Sequence, residues 1–174
     1  MGKNLRDIDS SLPSGIISTQ EGFLKSEPVT GAEDCYISGR YDILISLDDG
    51  TQALVDFKIT NPDAEQVKKY SSQLHAYKYA LENPAGGKKP AKITQMGLIT
   101  VSPEAIEHTN GRFIFSTKPL WHPIEEDMES FFKLIREISD VLNGDLPPPS
   151  ENCSYCKYRK QFETKEILTD ETPF

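Results

Sequence analysis

The segment from Ser38 to Thr60, SGRYDILISLDDGTQALVDFKIT, constrains the fold more than any other stretch of the chain. Two apolar runs, Tyr36 to Leu47 and Gln52 to Ile59, flank Asp48-Asp49-Gly50, a composition that predicts a β-hairpin. A two-residue loop at Asp49-Gly50 would set Asp42 opposite Phe57 and send Asp42 and Asp56 to opposite faces. A three-residue loop with Gly50 in the left-handed conformation sets Tyr41 opposite Phe57, Ile43 opposite Val55 and Ile45 opposite Ala53, one apolar face. The other face then carries Arg40 opposite Lys58, Asp42 opposite Asp56 and Leu44 opposite Leu54. A slip of one residue would send one arm's apolar set to the wrong face, so the three-residue loop is the expected one.

That register puts two carboxylates side by side on a partly buried face. At about 5 Å and an effective dielectric near 20, their repulsion is about 3 kcal/mol. A shared divalent cation would offset it, since hard carboxylate oxygens suit Mg²⁺ or Mn²⁺. So would an ion network in which Lys58 and Arg40 neutralise the pair.

The rest of the chain reads as alternating elements. Residues 1–19 are irregular in pattern, and Gln20 to Val29 has strand character. The stretch TNPDAEQ opens a helix, with Asn61 suited to the N-cap and Pro62 to the first turn. That helix runs to about Glu82 and stops before Pro84. Ile93 to Val101, ITQMGLITV, is apolar enough for a central strand, and GRFIFSTK predicts another. A second helix begins near Pro123 and ends at Asn143-Gly144, with Phe131, Leu134, Ile135, Ile138 and Leu142 as a core-facing stripe. The expected organisation is an N-terminal segment (1–19), a core (20–146), and a Pro-rich linker with a CxxC tail (147–174). Strands, helix, strands, helix give an α/β class, a mixed sheet flanked by helices.

With 174 residues, 37% hydrophobic and 26% charged, the chain can bury a sizeable core. No apolar run approaches the about 18 residues of a membrane span, and the N-terminus lacks a signal-peptide core, so a cytoplasmic setting is expected. Three cysteines, an odd number, fit a reducing compartment. Net charge is −8 but uneven, with six Lys against three acids from Asp63 to Thr100. An acidic protein can still grip phosphates through bound cations and local basic patches.

GRYD, a strand-turn interval, DFK, and then QLHAY on the next helix resemble the PD-(D/E)XK nuclease superfamily, and within it the RecB-like branch that includes CRISPR-associated exonucleases. The resemblance spans roughly residues 20 to 160. It implies a restriction-endonuclease-like core in which Asp42 and Asp56 are metal ligands and Lys58 is the catalytic lysine. It also implies that the Ile59 carbonyl completes the shell of a Mg²⁺ or Mn²⁺ ion. Gln73 and Tyr77 match the helical Q-x-x-x-Y signature that binds the DNA end, with Arg40 beside them as a substrate contact. His75 lies off that stripe and reads as a surface residue. The chemistry agrees: phosphodiester hydrolysis needs a metal to polarise the phosphoryl oxygen and activate water. Lys58, two residues or about 6–7 Å beyond Asp56, can reach the same place.

The chain departs from the family pattern twice. No convincing helix precedes the sheet to carry a further acid, so Glu21 and Glu33 stand as substitutes, or a protein partner supplies the helix. The iron–sulfur members' late cysteine cluster is incomplete: Cys153 and Cys156 are present, Phe162 takes the next position, and Cys35 is an ill-placed third thiol. A cluster or zinc site there would need a further ligand. The expected function is a metal-dependent DNA nuclease, an exonuclease or end-processing enzyme in repair, recombination or CRISPR adaptation. The alternative is a non-catalytic nucleic-acid-binding or scaffold member of the same fold.

Overall fold

The hairpin forms in the expected register. In the computed structural model, which describes residues 2–60, 64–145 and 148–166, β2 (Ser38–Ser46) and β3 (Gln52–Ile59) pair Ile43 with Val55, Leu44 with Leu54 and Ile45 with Ala53. Gly50 takes φ +81°, the left-handed value that the three-residue loop requires. Asp49 Oδ1 ties the turn by accepting from the amide and the hydroxyl of Thr51 at 2.9 and 2.6 Å. Asn61 and Pro62, the expected helix start, lie outside the described residues, as do Leu146 and Pro147 of the expected linker.

The sheet has the order β1-β2-β3-β4-β7, with β1 (Ile16–Lys25) antiparallel to β2 and β4 (Ile93–Val101) parallel to β3. Parallel neighbours need a long crossover, and α1 (Ala64–Glu82) supplies it. β7 (Leu120–Pro123) closes the far edge, antiparallel to β4. β5 (Pro103–Thr109) and β6 (Arg112–Thr117) form a separate two-stranded ribbon, and every residue of both strands is exposed. β1 starts four residues earlier than expected, and β5 and β7 carried too little strand pattern to be predicted.

Both faces of the sheet are covered. On one, Leu24, Leu44, Leu54, Met96 and Leu98 pack against Leu74 and Ala80 of α1. On the other, Ile17, Ile45, Ala53, Val55 and Ile99 pack against Leu5 and Leu12, so the N-terminal segment serves as the second layer. The chain divides into two units, one up to Ser139 and one from Asp140 onward. The break falls within α2 (Met128–Asn143), whose Phe131 and Ile135 are buried with Tyr79, Val29 and Ala32. The other residues of the expected stripe, Leu134, Ile138 and Leu142, are exposed, a correction to the prediction. The apolar pattern fixes which side of a helix is greasy, not how far a neighbour extends over it. In the second unit, α3 (Ser154–Glu166) follows Cys153. No helix among the described residues is long and apolar enough to cross a membrane.

His75 is also a correction: it is buried, not on the surface. Its Nδ1 donates to the Ser71 carbonyl at 2.7 Å, and its Nε2 accepts the Asp127 amide at 2.7 Å. The loop leading into α2 covers that flank of α1, a contact that a helical stripe alone does not announce.

Candidate active site

Pairing between β2 and β3 stops at Ile43–Val55, and the candidate site fills the gap beyond it. Tyr41 and Leu44 pack in the same cluster against α1, although residues three apart on a regular strand face opposite ways. The strand is therefore irregular at Asp42–Ile43. Tyr41 consequently does not join Phe57 on one apolar face as expected; its ring lies over Gly22 of β1, and Phe57 is exposed. Nor does Arg40 stand opposite Lys58. It is exposed and pairs with Phe23, while its neighbours Gly39 and Tyr41 face α1.

Asp42 uses the gap. Its Oδ2 accepts the Phe57 amide at 2.8 Å, standing in for the carbonyl that the ladder no longer provides. Asp56 is buried, and its Oδ2 lies 2.6 Å from Lys58 Nζ. Apart from that ammonium, the oxygen has no hydrogen-bond donor among the described residues. Lys58 also lies over the Tyr70 ring, 5.2 Å from its centroid. Burial pushes the Asp56 carboxyl above the usual carboxylate range; Lys58 pulls it down and Asp42 pushes it further up. Burial acts to lower the Lys58 ammonium, but the bond and charge of Asp56, with Asp42 behind it, hold it above its ordinary value.

The α1 side of the site is a polar stripe. Gln73 Nε2 donates to the Tyr77 hydroxyl at 2.8 Å. Tyr77 packs over Gly39, where a Cβ would sit 3.3 Å from the ring. Tyr70, Gln73 and Tyr77 follow i, i+3, i+7 spacing and so share the face on which Lys58 rests. Tyr70 was not predicted as a site residue, although its place three positions before Gln73 was the available signal.

Of the two substitute acids, the fold brings one beside Asp42. Glu21 lines an open cleft with Gln20, Asp42, Ile43 and Phe57. The flanking pairs Gln20–Ile43 and Gly22–Tyr41 set it across from Asp42. Its φ of +50° is a strained value for a residue with a side chain, and such strain collects at functional sites. Glu33 instead accepts the Gly31 amide in its own turn.

A divalent cation fits these residues. The buried Asp56 carboxylate, held by Lys58, and the neighbouring Asp42 carboxylate are hard oxygen donors. Mg²⁺ needs only one or two carboxylates because it keeps several waters. Among the described residues, no three His, Cys, Asp or Glu side chains cluster closely enough to hold a metal by themselves. In the second unit, Cys153 Sγ accepts the Cys156 amide at 3.4 Å. All three cysteines are free thiols, and Cys35 packs beside the Tyr79–Phe131 cluster.

The raised Asp56 carboxyl predicts a sign for metal-free stability. Between its ordinary value and its raised one, the folded state holds a proton that the unfolded state has lost. Stability is therefore highest below that window and falls as pH rises through it. Unfolding midpoints measured across the acid range should show this fall, and Asp56→Asn should flatten it. A rise with pH over the window, lost in the same variant, would mean that the folded site favours the charged carboxylate.

A model of the PD-(D/E)XK nuclease superfamily matches residues 6–161. No curated protein matches the chain. A solved structure described as "Crystal structure of SSO0001" is similar at 17% identity and a TM-score of 0.43, covering 82% of this chain. The chain spans 58% of that structure's length.

Proposed function

The chain belongs to the PD-(D/E)XK nuclease superfamily, and from that premise we propose that it hydrolyses phosphodiester bonds in DNA at the Asp42–Asp56–Lys58 site with a divalent cation. The observation that carries the proposal is the buried Asp56 carboxylate, paired with the Lys58 ammonium at 2.6 Å and close enough to Asp42 to feel its charge. Asp42, Asp56 and the Ile59 carbonyl would hold the cation. When bound, it would polarise the phosphoryl oxygen and lower the pKa of a bound water.

The chain's own residues divide the remaining work. Lys58 neutralises the buried Asp56 carboxylate in the free protein and offers an ammonium to charge that builds on the phosphate. Tyr70 limits how far that ammonium can swing. Gln73 and Tyr77 present linked polar groups to the nucleotide at the cleavage point. Glu21 is the acid at the rim of the cleft. The RecB-like assignment, end-processing rather than internal cleavage, and a role in repair, recombination or CRISPR adaptation belong to the same proposal. A cytoplasmic setting belongs to it as well.

End-labelled single- and double-stranded DNA, incubated with Mg²⁺ or Mn²⁺, tests the reading. Metal-dependent cleavage that disappears in Lys58→Ala supports it; cleavage unaffected by that change refutes it. Glu21→Ala should reduce cleavage by about 10- to 100-fold, the scale of losing a group that supports a metal site. Glu33→Ala should leave it unchanged.

One observation favours a second reading, a non-catalytic scaffold or nucleic-acid-binding member: among the described residues Glu21 does not close with Asp42 and Asp56 into a cluster of three metal-binding side chains. Absence of Mn²⁺ binding by calorimetry, together with absence of cleavage, would favour it.

A further inference from the structure

A second cleft opens beside the candidate site, and its lining is unlike the rest of the protein. Leu24, Tyr41 and Leu44 line it with Pro84 and Pro90, and Phe23 borders it on β1. Four lysines rim it, Lys25, Lys88, Lys89 and Lys92, and no lining residue is acidic. The whole chain has 27 acids against 19 Lys and Arg, so this is a local reversal of sign. None of the four lysines forms an ion pair with another described residue. Asp49, in the hairpin turn, is the acid within electrostatic reach of Lys92. Lys88 and Lys89 follow Gly86 and Gly87, at φ +71° and +68°, in a loop with nothing packed against those glycines.

The cleft carries aromatic surface as well. On the adjoining edge strand Phe23 is exposed, and Lys25 lies over the exposed Tyr36 ring, 4.7 Å from the centroid. Interleaved cations and exposed rings suit a single nucleic-acid strand, whose phosphates take the cations and whose bases stack. Position supports the same partner. Phe23 and Lys25 continue along edge strand β1 from Gln20 and Glu21 of the candidate site, and Glu21 to Lys25 spans about 13 Å at 3.3 Å per residue.

We propose that the lysine-rimmed cleft is a second nucleic-acid contact, gripping the backbone of a single strand that runs along the β1 edge into the Asp42–Asp56 site. The inference rests on the nuclease reading for its geometry. Binding alone tests it. Fluorescence anisotropy of a labelled single-stranded oligonucleotide, titrated in the absence of divalent metal over a range of salt, compares the parent with Lys88→Glu/Lys89→Glu. Lys133→Glu on α2 serves as the charge control.

The double variant should bind at least about tenfold more weakly at low salt, with a salt slope shallower by about 0.7 for each phosphate no longer neutralised. The control should match the parent. Equal affinity and slope in all three proteins would overturn the proposal. Displacement of the oligonucleotide by a mononucleotide at constant ionic strength would also overturn it, in favour of a small phosphate ligand. Cleavage by the parent with lysines of no effect would leave the nuclease reading standing alone. Lysine-dependent binding without cleavage would leave the cleft standing and remove the nuclease.

Discussion

Replacing Asp56 with Ala should reduce DNA cleavage by at least about 10²–10³-fold, the scale of losing one preorganised electrostatic group in an active site. Asp56 stands beside Lys58 and Asp42, so its loss removes an anchor for the cation and the partner that holds Lys58 in place. The protein should remain folded. Asp56 is a buried acid whose charged form burial disfavours, and its removal relieves that cost. Activity and the unfolding midpoint, measured on the same preparation, separate the two effects. Lost activity with an unchanged or higher midpoint is the expected pair; retained cleavage would remove Asp56 from the site. Asp56→Asn distinguishes charge from volume, because it keeps the shape and should be as inactive as Ala.

Leu54→Ala should do the opposite, removing stability before chemistry. Leu54 is fully buried at the centre of the sheet, packed with Leu44, Leu98 and Leu74 of α1. Truncation there costs about 2–5 kcal/mol, the removed methyl groups plus the cavity they leave. That is a large share of a typical domain's 5–15 kcal/mol. Urea unfolding should show the midpoint falling with little change in slope. Whatever fraction stays folded should retain cleavage, since Leu54 is an apolar core residue and carries no group of the proposed chemistry. A loss below about 1 kcal/mol would mean that the core around Leu54 collapses to fill the space.

The sequence made the hairpin legible because a period of two and one turn glycine leave few registers, and only one kept the apolar residues together. It also made legible the face of α1 that carries Gln73 and Tyr77, since helical spacing is as regular as strand spacing. What it hid depends on contacts between distant segments. Tyr41 turns toward α1 because Gly22, on another strand, leaves room for its ring. His75 is buried because a loop some fifty residues later folds onto it. Glu21 reaches the cleft through the pairing of β1 with β2, and Arg40 is turned away from Lys58 by the same irregularity that places Asp42. β5 and β7 escaped because one is wholly exposed and the other has only four residues.

The carboxylate of Asp42 holds the fold together at the place where the proposed chemistry would use it. One oxygen closes the seam between β2 and β3 by holding the Phe57 amide; in the proposed chemistry the other would meet the cation. An acid that drew a cation and released the amide would loosen the strand that carries Asp56 and Lys58. In the proposed site, the spacing of the two carboxylates would follow from that single hydrogen bond.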